Sequence, residues 1–518
     1  MEGPAVRQAL IALTLALALC LTGCGATGGE TTAETTPETS VTPSAAPERT
    51  AFALPYYPSG SLHPITDSGR TNRVLAGLVY QGLFALDNTF EPSGVLCTSW
   101  TVSEDGLTWT FTLTSTVFSD GTALTADDVV TSLELARTSA LYADRLSAVR
   151  TVGAGEEGTV VVTLSAPNGA LPALLDIPVV REGEEGAPPL GTGPYAYAQE
   201  GGQWKLVRRS SAPDTAPAEI PLVAVDGADD LIYAFDAGEV SLVVSDLTGA
   251  NALGYSAGYE VFPYPSTTLL YVGFQAASGP CQDPLVRQAI SRGMDRETVA
   301  ASLLAGYADA TCLPVSPQCA LYSAQREQAG EYDPEQAQAL LAQAGYTPGE
   351  DGLLAKGRSA LSLTLVVNTD NTFKLSIAEY LAGQLTDLGI QVEVQKLAWD
   401  DYLTALQRGE FDLYLGEVAL TADFDLSALL GQGGALNYGG YVSAETDALL
   451  SQLRAATGDA RAPAADALLE QFQADAPLAP LCFKRYAALT QWQAVTGLSP
   501  TYQNPFASLA SLRFGGEE

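Results

Sequence analysis

Histidine is nearly missing from this chain: His63 is the only one in 518 residues. A Ser-His triad would have to be built on that one residue, and a histidine-rich metal site is excluded. His63 stands beside Pro64 in a run of turn residues, where a lone histidine reads as structural. Cys-x-x-Cys pairs are also lacking, which argues against structural zinc. No Walker phosphate loop occurs. Basic residues are scarce: 25 Lys and Arg stand against 60 Asp and Glu, for a formal charge of −35. Such a chain has no electrostatic footprint for nucleic acid, and an anionic membrane surface repels it. The acidic excess reads as a solvated surface. Beyond residue 24 no apolar run is long enough to cross a bilayer. What the chain does have is 47% hydrophobic residues, enough for two or three packed cores.

Residues 9–21 are an apolar run of the length of a signal-peptide core, too short to span comfortably. The run ends in Leu21-Thr22-Gly23-Cys24. Small residues ahead of a cysteine resemble the lipobox of bacterial lipoproteins, where the thiol is acylated and the chain is cut before it. That resemblance implies a signal peptide over residues 1–23 and lipidation at Cys24. It also implies a mature protein held by acyl chains on the outer face of the bacterial cytoplasmic membrane. Residues 24–50 are dominated by Thr, Glu, Pro, Ser, Ala and Gly; with almost nothing to bury, they read as a disordered tether. The folded body is expected from Ala51.

Five cysteines lie in that body, fewer than a dense disulfide framework needs. Cys97 and Cys482 sit beside apolar residues and read as small core fillers. Cys312 and Cys319 flank a proline-containing loop and could close a small ring. Five is odd, so at least one thiol is expected to stay unpaired within the chain.

Residues 361–416 carry the clearest periodicity. Leu361, Leu363, Leu365 and Val367 alternate as in a strand, and Phe373, Ile377, Leu381, Leu385 and Leu388 then fall on one helical face. Gly389 stands where a left-handed residue would end that helix. Ile390, Val392 and Val394 alternate again, residues 400–408 read as a short helix closed by Gly409, and residues 411–415 as a third strand. Strand-helix-strand-helix-strand is the pattern of a parallel sheet with right-handed crossovers. Ligands in such sheets bind outside the carboxyl ends of the strands, here residues 368–371, 395–399 and 416 onward.

Elsewhere the punctuation is equally legible. Glu104-Asp105-Gly106 reads as a hairpin turn. Leu107, Trp109, Phe111 and Leu113 alternate with threonines as in a half-buried strand. Thr125-Ala126-Asp127-Asp128 has the form of a capping box. Asp283, Asp295 and Asp333 read as helix N-caps, with Pro284 and Pro334 at first helical positions.

Trp100, Asp105, Gly106, Phe118, Asp120, Gly121, Leu124, Thr125, Ala126, Asp128 and Val129 resemble the signature of family 5 solute-binding proteins. These are the extracytoplasmic receptors of oligopeptide, dipeptide and nickel ABC importers. Thr114 departs from the pattern, which has a basic residue there. Residues 191–195, 283–290 and 294–297 continue the similarity over most of the chain. The resemblance implies an α/β, two-lobed periplasmic-binding-protein-like fold (type II, cluster C) with an extra domain inserted in lobe I. Lobe I is expected over residues 51–92, 190–265 and 483–518, the extra domain over 93–189, and lobe II over 266–482. It further implies a monomer without a cofactor or catalytic site. Such a protein captures a small solute, foremost a short peptide, and delivers it to an ABC permease as the lobes close by hinge motion. The same fold serves peptide-pheromone receptors and nickel-, haem- or sugar-binding members. A secreted hydrolase is the enzymatic rival, but no spacing here suggests the Ser-Lys or carboxylate-pair site it would need.

In peptide-binding members of the family a Trp-x-x-Asp-Tyr-x-Asp-Pro-like segment follows the last strand, and its first Asp pairs with the peptide's amino group. Aligned on Asp425, that Asp position holds Ala422 and the Trp position holds Ala419, so the role passes to Asp423 or Glu417. Asp423 also reads as a solvated loop carboxylate, and Asp425 as a helix cap. Asn368, Asn371 and Trp399 stand at strand ends; Trp399 is placed either to stack on a ligand or to pack on its own crossover. Asn437 and Tyr438 lie in a loop that resembles an Asn-containing loop of the family and are further candidates for the cleft wall.

Overall fold

Ser362–Asn368 is the central strand of the parallel part of the lobe II sheet, paired with Gln391–Leu397 on one side and Leu413–Ala419 on the other. The helices Thr372–Asp387 and Trp399–Arg408 join these strands. The expected alternation holds: Leu363 and Leu365 are each 1% exposed, and Ile377, Leu381 and Leu385 are fully buried against them. Asn371 caps the longer helix, accepting from the amides of Phe373 and Lys374 that would otherwise lack partners. Gly389 at φ 88° and Gly409 at φ 69° end the two helices, in a conformation that a Cβ disfavours. The computed structural model describes residues 51–515 apart from residues 68, 185, 251 and 351. The expected signal peptide, Cys24 and the tether lie outside the described residues.

Two long antiparallel strands, Tyr259–Phe274 and Leu478–Gln491, carry the same sheet out of lobe II to Leu242–Ser245. Their register slips between Pro265 and Leu269, and there Ser266 Oγ donates to the Lys484 carbonyl at 2.6 Å. The cores divide at this break. Ala487, Ala488 and Leu489 pack into lobe I, whereas residues 269–274 and 478–483 pack into lobe II. A bulge of this kind bends the strand pair and loosens its ladder locally, which suits it to a hinge.

Lobe I is built on Leu54–Tyr56, Glu219–Ala224, Gln203–Arg208 and Tyr195–Glu200 in that spatial order. A separate antiparallel sheet of Cys97–Val102, Thr108–Leu113, Thr159–Leu164 and Val149–Ala154 is inserted in it. Trp109 and Phe111 point into its core, stacked 6.1 Å apart. The Thr125–Asp128 capping box is formed on both sides and opens the helix Ala126–Ala136. Asp283, Asp295 and Asp333 likewise cap their helices by accepting a backbone amide.

The five described cysteines are buried and free. The ring that Cys312 and Cys319 could close is not formed: Cys312 Sγ turns to the Glu327 carbonyl at 3.4 Å, and both side chains fill the same apolar cluster. Burial pushes both thiols up to about 12. His63 is held locally, its Nδ1 accepting from the Ile65 amide at 3.2 Å. Among the described residues no helix is long and apolar enough to cross a membrane.

Candidate functional site

A cleft of about 620 Å³ lies between the lobes at the carboxyl ends of the lobe II strands. Lobe I contributes Arg70, Ser245 and Asp246 to its walls, and lobe II contributes Asn368, Asp370, Asn371, Lys374, Trp399 and Glu417. Four of the residues singled out from the sequence, Asn368, Asn371, Trp399 and Glu417, therefore share one cavity.

Each is placed by its element. Asn368 ends the central strand and is 3% exposed; its Nδ2 lies 3.5 Å from Asp370 Oδ2, while Oδ1 has no hydrogen-bond partner. Asn371 spends its oxygen on the helix cap and its Nδ2 on the Thr248 carbonyl at 3.0 Å, which ties lobe II to lobe I. Trp399 opens the Trp399–Arg408 helix and stacks on Tyr402 with ring centroids 5.8 Å apart. It is nearly half exposed and is one of the residues lining the cleft, so it packs on its own crossover and still borders the cavity.

Glu417 is already occupied. Its carboxylate lies 3.2 Å from Lys374 Nζ and 3.3 Å from Lys484 Nζ. Lys484, on the crossing strand and with a side chain only 2% exposed, also holds Asp246 at 2.7 Å. Burial alone would raise the Glu417 carboxyl, but Lys374 and Lys484 outweigh it and hold the group below the usual carboxylate range. Burial would likewise depress the Lys484 ammonium, yet Glu417 and Asp246 outweigh it and hold it above its ordinary value. Two ammonium groups and two carboxylates thus form a balanced cluster at the base of the cleft.

Asp423 and Asp425 are elsewhere. They line a separate small cavity with Asn168, Arg454 and Arg461. Asp423 accepts from Asn168 Nδ2 at 2.9 Å and from Thr421 Oγ at 2.5 Å, and Arg461 donates to its carbonyl at 3.1 Å. Asp425 accepts from the amide and hydroxyl of Ser427, at the start of a short helix. Asn437 bonds within its own loop to Gly431 and Tyr441, and Tyr438 packs edge to face on Tyr414. None of these four residues is among those lining the larger cleft.

Sequence reasoning passed over Arg70, Asp246, Asp370, Lys374 and Lys484. Asp370 lay within a stretch expected at the mouth, so the strand-end rule reached it without singling it out. Lys484 and Asp246 meet only through the crossing strands, and no spacing within one segment announces that. Among the described residues no group of three His, Cys, Asp or Glu side chains is arranged to hold a metal ion.

Residues 91–435 match the family described as bacterial extracellular solute-binding proteins, family 5 Middle. The glutathione-binding protein GsiB of Shigella flexneri serotype 5b is 28% identical over 355 residues, which span 64% of this chain and 67% of that protein. The oligopeptide-binding protein AppA of Bacillus subtilis, solved with a nonapeptide, shares the fold with a TM-score of 0.59. It is 19% identical, over 90% of this chain and 98% of that one. A nickel ABC transporter structure from Bacillus halodurans gives a TM-score of 0.72 and 19% identity, over 88% of this chain and 97% of that one.

Proposed function

The chain belongs to family 5 of the bacterial extracellular solute-binding proteins, and from that premise we propose that it captures short peptides outside the cell for an ABC permease. The observation that carries this reading is the cleft of about 620 Å³ walled by both lobes. Its size suits a ligand of a few residues. Its mix of asparagine amides, a half-exposed indole and unmatched charge suits a peptide better than a purely apolar solute. The substrates named for two relatives, glutathione and a nonapeptide, point the same way. Binding between the lobes draws them together about the register break at residues 265–269, and the closed form is what the permease meets.

Attachment to the membrane is proposed through acyl chains on Cys24, on the strength of the Leu21-Thr22-Gly23-Cys24 sequence. The tether of residues 24–50 would let a monomer reach the permease. The test is calorimetry of the mature protein against a library of di- to pentapeptides, with native mass spectrometry of whatever co-purifies. Peptides that bind and co-purify are the expected result. A protein that takes no peptide and carries a different class of small molecule overturns the peptide reading and leaves the family intact.

A further inference from the structure

The charged groups of the cleft sort into two sets. Glu417, Asp246, Lys374 and Lys484 satisfy one another, so neither carboxylate is free for a ligand's ammonium without stripping a lysine from it. Arg70 and Asp370 stand outside that cluster. Arg70 opens the lobe I helix Arg70–Val79, and its guanidinium lies 4.8 Å from the centroid of the Tyr486 ring. Among the described residues no carboxylate meets it within ion-pair distance. Asp370 follows the central strand on the lobe II wall, and its polar contact is Asn368 Nδ2 at 3.5 Å; no cation meets it among the described residues. One unmatched positive group and one unmatched negative group thus line the same cavity from different lobes.

Asn368 supplies the independent observation. It is 3% exposed, lines the cavity, and has an Oδ1 without a hydrogen-bond partner. A buried acceptor left unmade is costly, and because Nδ2 faces Asp370 the oxygen is the atom left for a donor. A ligand N–H or O–H is the kind of group that would satisfy it.

Given the peptide-capture reading on which this rests, we propose that the cleft selects a zwitterion with both ends free. The ligand's carboxylate lies on the Arg70 guanidinium, whose planar fork suits a carboxylate, its ammonium on Asp370, and a backbone N–H on Asn368 Oδ1. One end is then held by each lobe, so the solute itself ties the lobes together. Glu417 serves to neutralise Lys374 and Lys484 rather than to bind the amino terminus.

Calorimetry on the mature chain tests this with one peptide library in three forms: free, N-acetylated and C-amidated. Each cap should weaken binding by at least about tenfold. Arg70→Gln should bind acid and amide alike while still rejecting the acetylated form, and Asp370→Asn should do the reverse. Asn368→Ala should weaken all three forms. Both charged side chains are exposed, so the unliganded variants should melt with the wild type, and that measurement checks their folding. Capped and free forms that bind equally, or variants that keep the full discrimination, overturn the zwitterion assignment and leave peptide capture standing. Failure of every free peptide to bind overturns both.

Discussion

Asn168 donates its side-chain amide to Asp423 Oδ2 at 2.9 Å, joining the loop that follows the inserted sheet to lobe II. The contact continues on either side. The Gly169 amide donates to the Arg454 carbonyl at 2.7 Å, and a Cβ on Gly169 would stand 1.9 Å from the Ala456 carbonyl oxygen. Nearby, Phe90 and Phe424 meet edge to face with centroids 5.3 Å apart. Both hold positive φ, 64° and 54°, a conformation that costs a bulky residue about 1–3 kcal/mol and persists only where packing over-determines it. The lobes are therefore held together here as well as through the crossing strands.

Asn168→Ala should destabilise the protein by about 1.5–3 kcal/mol, the range for a hydrogen bond to a charged group. The substitution leaves Asp423, only 7% exposed, with an unpaired oxygen. Urea unfolding followed by circular dichroism reads the change in midpoint. A midpoint equal to that of the wild type would show that water replaces the amide without loss.

The five described thiols should resist alkylation in the folded protein. All are buried, and burial lifts Cys312 and Cys319 to about 12, leaving little thiolate at neutral pH. Iodoacetamide at about pH 8 should label none of them before unfolding and all five in urea. Rapid labelling of any one in the native state contradicts the packing described.

Much of lobe II was legible because its periods are clean. Two-residue alternation and three-to-four-residue spacing changed places at Asn371 and Gly389, and the glycines that end its helices do so for a steric reason. The strand-end rule then brought Asn368, Asn371 and Trp399 to one cavity. Its failures are physical as well. Asp423 and Asp425 follow the last strand closely in sequence, but that strand leads the chain across to Thr267, where the Leu420 amide bonds, and on to the inserted sheet. Nearness in sequence to a strand end does not give direction. Glu417 is occupied by Lys374 from the neighbouring helix and by Lys484 from the far crossing strand, which also holds Asp246 of lobe I; the last two join it only in the folded chain.

Cys24→Ser should leave an unprocessed, unlipidated precursor, since acylation needs the thiol. Mass spectrometry of the protein made in a bacterial host reads the amino terminus and any added lipid. A Cys24→Ser variant still cut after Gly23 and still lipidated would remove the lipoprotein assignment.

Lys484→Met should be the most damaging single change near the cleft, and its cost should depend on pH. Lys374 still partners Glu417 in this variant, so Asp246, with a side chain 11% exposed, is the carboxylate left without a cation, keeping only its bonds from Thr248. Removing one partner of a buried pair costs about 3–5 kcal/mol, and the lower end is expected here because Glu417 keeps one cation. The Glu417 carboxyl is held below its ordinary value of 4.5. A depressed carboxyl adds stability above that ordinary value, and the contribution is lost as pH falls through the folded value. The Lys484 ammonium is held above its ordinary 10.5, so its contribution is complete below that pH and is lost as pH rises through the higher folded value. Around neutrality the wild type has both contributions, whereas the variant lacks that of Lys484 and keeps only the part of Glu417's that Lys374 supports. As pH falls through the carboxylate range the wild type gives up what Glu417 supplied, while the variant has less to lose. The gap between their urea midpoints should therefore hold from pH 7 down to the ordinary carboxyl value of 4.5 and narrow only below it, as Glu417 takes up its proton. A gap that stays constant below that value as well would mean that Lys484 acts through packing of its methylenes rather than through its charge.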